Sequence, residues 1–176
     1  MKKYFHLALP ALALISFSFR PLPSPSPSVL SKMLAFPVAG FSSKIGSFWG
    51  ASRDGGVRSH KGIDIFARKG TPVVAIADGV IVDKGNTGLG GKVVWLKTDG
   101  QPLRAYYAHL DTWKVKKGQR VKKGQVLGTV GNTGNARTTP SHLHFGIYTR
   151  KGAVNPLPYV KKAKKVPVPK KKTARK

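Results

Sequence analysis

The chain has no cysteine and no glutamate. Without thiols there can be no disulfide, no thiolate metal site and no lipid-modified cysteine behind an export signal. Without glutamate, zinc helices that use it as a proton carrier and glycosidase sites that need one are also excluded. Acid of any kind is scarce. Six aspartates face 32 lysines and arginines, a formal net charge of +26 over 176 residues. An imbalance of that size points to a polyanionic partner such as nucleic acid, anionic lipid or an anionic envelope polymer. Any chemistry must rest on histidine and aspartate.

Also missing is an apolar run long enough to cross a bilayer, which takes about 20 residues. The best candidate, Leu7 to Phe19, is shorter and contains Pro10. With Lys2 and Lys3 before it and Ser16 and Ser18 as a small-x-small site, it reads as a signal peptide over residues 1–18. An uncleaved anchor is the alternative, and membrane contact is expected only in that case. Residues 19–34, containing RPLPSPSPS, read as an extended linker. Residues 161–176 carry nine basic residues, no acid and two prolines, so a disordered tail is expected. Within it Lys161, Lys162, Lys164, Lys165, Lys170, Lys171 and Lys172 are candidates for binding anionic envelope polymers. Residues 35–160 remain for one domain.

No window of that domain shows a sustained 3.6-residue apolar period, and its pattern is all-β. Val73–Ala77, Val80–Val82, Val93–Lys97, Arg104–His109, Val126–Val130 and His142–Tyr148 are short, rich in Val, Ile and aromatics, and bounded by glycine-containing turns. Asp78-Gly79 and Asp99-Gly100 read as tight reversals. The glycine-rich Asn86–Gly91 precedes no helical segment, so it reads as a loop between strands rather than a phosphate cradle.

Four of the five histidines fall in three short segments: SHKGID, YYAHLD and SHLHFGIY. On a strand, residues i and i+2 share a face, so His142 and His144 project together while Leu143 and Phe145 enter the other side. His60 and Asp64 are four apart with Gly62 between them, which lets both converge on one point. His109 follows Tyr107-Ala108 at an expected strand end. A catalytic zinc takes three protein ligands and keeps one position open. Four histidines and Asp64 exceed that need by two, and the surplus suits acid–base work.

Taken in order, HKGID, GTPVVAIADGVIV, YYAHLD, GQVLGTVGNTG and SHLHFGIY resemble the lysostaphin/LytM-type peptidoglycan zinc metalloendopeptidases over about residues 35–157. The resemblance implies antiparallel sheets forming a sandwich-like domain with a loop-walled groove. It further implies zinc held by His60, Asp64 and His144, with His109 and His142 assisting catalysis. Family members carry a tyrosine upstream of HxxxD that supports the oxyanion. Here SRDGGVRSH offers only arginines, of which Arg53 is the candidate for that role.

The function so implied is an exported zinc metalloendopeptidase of the periplasm or envelope, cleaving peptidoglycan cross-links. D-Ala–diaminopimelate bonds and glycine bridges are both compatible, and the missing tyrosine leans toward the former. A catalytically silent LytM-like regulator and a polyanion-binding envelope protein are the alternatives. No reader motif for specific nucleic acid is present.

Overall fold

The computed structural model describes residues 25–169. The expected signal peptide, residues 19–24 of the expected linker, and Lys170, Lys171 and Lys172 lie outside that range. Among the described residues no helix is long and apolar enough to cross a membrane.

The chain begins with a short helix, α1 (Pro27–Met33). Strands β1 (Lys44–Ser47), β2 (Ser52–Arg53), β3 (Arg58–Ser59), β4 (Ile63–Phe66), β5 (Pro72–Val74) and β6 (Gly79–Thr87) follow. Next come β7 (Gly91–Thr98), β8 (Arg104–Trp113), β9 (Arg120–Val121), β10 (Val126–Val130), β11 (His142–Thr149) and β12 (Gly152–Val154). A helix of one turn, α2 (Leu157–Val160), closes the sequence of elements. Every strand pairing is antiparallel.

The main sheet runs in the order β1-β4-β11-β8-β7-β6-β9. Its long strand β8 lies between β11 and β7 from Arg104 to Ala108, then pairs with β10 from Leu110 to Trp113. Because β10 in turn pairs with β5, β8 carries the sheet over onto a second layer. This is the sandwich-like all-β domain expected. The core between the layers is filled from alternate strand positions, as the two-residue period requires. Ile63 and Ile65 of β4 and Leu143, Phe145 and Ile147 of β11 are all fully buried. Their neighbours Asp64, His142, His144 and Tyr148 therefore point the other way.

Phe145 stands against Tyr107 with ring centroids 5.4 Å apart, and its side chain is wholly enclosed. Phe145→Ala should cost about 3–5 kcal/mol in urea unfolding. A loss below about 1 kcal/mol would show that the core does not depend on β11.

Three local features differ from the sequence reading. Asp78-Gly79 is no reversal: Gly79 has no positive φ, and a Cβ there would lie 2.2 Å from the Lys97 carbonyl oxygen, so close backbone approach is what demands glycine. Asp99-Gly100 does turn, with Gly100 at φ +67° between β7 and β8. The expected linker to residue 34 ends early. Ser26 and Pro27 start α1, whose Leu30, one turn before Leu34, is buried with it against the domain.

The third difference is at the C-terminal end. After a turn at Lys161 and Lys162, Ala163 to Pro169 run as a strap beside residues 31–40. Phe36 N–H donates to the Lys164 carbonyl at 2.9 Å, Gly40 N–H to that of Val166 at 2.8 Å, and Lys162 N–H to Ser31 Oγ at 3.1 Å. Ala163 packs on the core cluster and Lys165 lies over the Phe36 ring, 5.2 Å from its centroid. Apolar residues spaced between lysines anchor the backbone while the charges stay outside. Lys161, Lys162 and Lys164 are exposed there.

Candidate metal centre

Asp64 and His144 face each other directly across the β4–β11 pair, and His142 faces Phe66. Cross-strand partners sit about 5 Å apart, so strand register alone brings the carboxylate to the imidazole. Gly62 completes the approach. A Cβ there would lie 2.6 Å from His144 Cε1, so only glycine lets the segment after His60 pass under that ring.

Three atoms result, close together: His60 Nε2 to Asp64 Oδ1 is 3.1 Å, His144 Nδ1 to Asp64 Oδ1 is 3.0 Å, and His60 Nε2 to His144 Nδ1 is 2.9 Å. His60 Nδ1 donates to the Phe48 carbonyl at 2.8 Å. A carbonyl only accepts, so in the neutral ring Nε2 carries the lone pair. The carboxylate oxygen is also an acceptor. A triangle of such atoms needs a proton or a cation at its centre. For edges near 3 Å, a point about 1 Å out of the plane lies about 2.0 Å from each corner, which is the zinc–nitrogen and zinc–oxygen distance. Nitrogen and oxygen donors of this kind, fixed on strands and half-sealed from water, fit that ion in size and chemistry. Among the described residues these three form the cluster whose donor atoms lie close enough together to hold a metal ion.

Two more imidazoles border the triangle. His142 Nδ1 donates to the Pro140 carbonyl and His109 Nδ1 to the Thr133 carbonyl, each at 2.8 Å. The same reasoning leaves both with Nε2 as the free base. His142 Nε2 is 4.0 Å from Asp64 Oδ1, and the His109 ring centroid is 4.9 Å from that of His142 and 5.8 Å from that of His144.

His109 is not at a strand end, as the sequence suggested, but at a bulge inside β8. The β7 register steps from Val94↔Tyr107 to Lys92↔Leu110, so Ala108 and His109 together oppose Val93. His109 takes φ +59° there. Simple alternation would send it into the core with Tyr107. The extra residue turns it to the side of Ala108 instead.

Arg53 stands beside the triangle. Its guanidinium NH2 lies 2.9 Å from Asp64 Oδ2 and 2.8 Å from Ser47 Oγ, so it grips the outer oxygen of the carboxylate whose inner oxygen belongs to the triangle. That contact orients Asp64, while the Arg53 side chain stays 31% exposed. Arg58 pairs with Asp54 at 2.5 Å in the β2–β3 hairpin.

The profile of Peptidase family M23 matches residues 58–156, more than half the chain. The chain belongs to this family. It is similar to the glycyl-glycine endopeptidase ALE-1 of Staphylococcus capitis, 41% identical over 60% of this chain and 30% of that protein. It is similar also to the murein hydrolase activator NlpD of Escherichia coli, 42% identical over 66% of this chain and 29% of that one. The chain thus spans under a third of the length of these relatives. Among solved structures it resembles the catalytic domain of lysostaphin from Staphylococcus simulans, with TM-score 0.61 and 36% identity over 67% of this chain and 92% of that domain.

In this M23 domain the centre opens into a cleft of about 920 Å³. The β2–β3 hairpin with Val57, the β6–β7 loop with Leu89, and the segment around Asn135 and Pro140 border it. Tyr106 and Tyr148 line it as well, and sequence reasoning passed over both. The signal was present for Tyr148: it continues the i+2 series from His142, His144 and Gly146 on the same face. Gly146 makes room, since a Cβ there would lie 3.1 Å from the Tyr148 ring. Burial raises the hydroxyl pKa of both tyrosines, so they stay neutral.

Burial, with the adjacent His142 and His144, pushes the His109 imidazole down from 6.5 to about 4. Burial also lowers His144 against the pull of Asp64. Burial alone would raise Asp64, but hydrogen bonds and charge from His144 and His60 outweigh it and hold the carboxyl well below the usual range.

For His109 the depressed value means that folding favours the neutral ring. Its contribution is whole above pH 6.5 and is lost as pH falls from 6.5 toward about 4, to a total of about 3 kcal/mol. His109→Asn, which tolerates positive φ, should remove that part of the acid sensitivity. Urea unfolding of chelator-treated protein from pH 7 to 4 would show it, and an unchanged slope would count against a buried neutral His109.

Proposed function

We propose that the chain is an exported zinc metalloendopeptidase that hydrolyses peptide cross-links of peptidoglycan. The observation that carries this reading is the triangle of His60 Nε2, Asp64 Oδ1 and His144 Nδ1, with two further imidazole bases beside it. Zinc in that triangle would supply an acidified water and a Lewis acid for a peptide carbonyl.

The protein's own groups do the rest. Ser47 holds the Arg53 guanidinium, and Arg53 in turn fixes the rotamer of Asp64. His109 and His142, held by carbonyls in the tautomer with Nε2 unprotonated, take a proton from water in the cleft and return it to the departing amine. Net consumption is one water per peptide bond, giving a carboxylate and an amine. The neutral hydroxyls of Tyr106 and Tyr148 offer hydrogen bonds to a peptide lying along the cleft. Export rests on Lys2, Lys3 and the apolar Leu7–Phe19.

A second reading, activator of a separate murein hydrolase, draws on the similarity to NlpD, which matches that to ALE-1 in identity. Digestion of purified sacculi separates the two. The enzyme reading expects the purified chain alone, with zinc, to release muropeptides bearing new amino termini by mass spectrometry. Release only when a second hydrolase is added would establish the activator.

A further inference from the structure

Seven large apolar side chains are strongly exposed among the described residues. Val57 and Leu89 line the cleft, and Phe48 lends its carbonyl to His60. The other four, Val29 at 50%, Met33 at 56%, Phe41 at 75% and Val168 at 53%, have no part in the site. They lie on α1, on the segment that follows it and on the strap that runs beside both.

Val29 and Met33 are one turn apart on α1, on a different side of the helix from the buried Leu30. The Met33 carbonyl accepts from Lys123 Nζ at 3.0 Å, and the Phe41 carbonyl from Lys165 Nζ at 3.2 Å. Gly40 packs against Val168, whose Cγ2 would lie 3.1 Å from a Cβ there. These contacts tie α1, the β9–β10 turn and the strap into one surface.

The same surface is basic. Exposed Lys32, Lys122, Lys123, Lys161, Lys162 and Lys164 stand on its three segments. Asp78, which holds Lys122 Nζ at 2.9 Å and Lys123 N–H at 2.8 Å, is the acid that meets them among the described residues. The chain outside the described range joins here at both ends. One of those ends, residues 170–176, adds five lysines and arginines, and the other contains the apolar Leu7–Phe19.

We propose that this face docks on an anionic phospholipid surface, with Val29, Met33, Phe41 and Val168 entering the headgroup–acyl boundary and the lysines meeting the phosphates. Lysine with projecting apolar side chains is the pairing that interfacial binding uses. A phosphate polymer or nucleic acid would take the lysines and leave the four apolar groups in water. None of these residues borders the cleft, so a docked domain keeps its site open. The inference is independent of the hydrolase reading.

Because the chain has no cysteine, single labels test it in the full protein. An environment-sensitive fluorophore placed at Met33→Cys, Phe41→Cys or Val57→Cys is read with phosphatidylcholine vesicles carrying about 30% phosphatidylglycerol. Labels at 33 and 41 should shift to the blue and be quenched by lipid nitroxide, while the label at 57 stays water-like. Replacing Lys32, Lys161 and Lys162 with glutamine should lower the vesicle partition coefficient about tenfold or more.

Vesicle binding with water-like labels at 33 and 41 would place the contact in another segment and overturn the proposal. An equal shift at 57, or an unchanged partition coefficient in the lysine variant, would do the same. So would displacement of the protein from vesicles by polyphosphate or duplex DNA at lower concentrations than those at which it binds lipid, which would assign the face to a polymer.

Discussion

His142→Ala is expected to keep its zinc and to lose peptidoglycan hydrolysis by about 10²- to 10⁴-fold. His142 and His144 are two residues apart on one face of β11, yet their nitrogens do different things. His144 Nδ1 is a corner of the triangle, within 3.0 Å of both other corners. His142 has its Nδ1 committed to Pro140, and its Nε2 stands 4.0 Å from Asp64. Removing the first breaks the donor set. Removing the second takes away a base at the edge of the cleft and leaves three donors in place. His144→Ala should therefore lose both metal and activity. Elemental analysis beside a muropeptide assay reads the two variants together, and equal zinc loss in both would deny the separate roles.

Gly62→Ala is expected to weaken zinc affinity by about 10- to 100-fold without adding or removing a donor. A Cβ at this position meets His144 Cε1 at 2.6 Å, His144 Nε2 at 2.7 Å and the Phe145 carbonyl oxygen at 2.7 Å. The carbonyl belongs to a sheet backbone with a buried side chain and cannot retreat, so the imidazole must. Moving it by even half an ångström spoils a triangle whose edges span 2.9 to 3.1 Å. Gly85→Ala is the matched control. Gly85 has nothing within 4 Å of its Cβ position and no positive φ, so its metal affinity should be unchanged. Competition with a chromophoric chelator measures both, and wild-type affinity in Gly62→Ala would show that the ring has room the geometry denies.

Where chemistry and strand period coincide, the sequence was easy to read. HLHFGIY alternates without interruption, so the division of β11 into a histidine face and a core face followed from period two alone. The β8 histidine was harder. His109 has the parity of Tyr107 and by alternation belongs in the core. Only the bulge, set by pairing with β7, turns it outward, and a pairing partner is not a local property.

β4 escaped notice because IDIF is only four residues long and its Asp64 breaks the apolar run. α1 escaped because it continues a proline–serine run, and the strap because lysine and proline dominate it, while Leu30, Leu34 and Ala163, which hold them down, are few. Arg53 was found as a residue but not as a contact. Its partner Asp64 lies eleven positions away, across a hairpin that had not been placed.

The central claim is that His60, Asp64 and His144 hold one zinc ion. A crystal of the purified protein, with anomalous data collected on either side of the zinc edge, tests it most directly. The account predicts a single peak bonded to His60 Nε2, Asp64 Oδ1 and His144 Nδ1, with the open position facing His109 and His142. A fully active protein with no such peak, or with its peak on other residues, would contradict it.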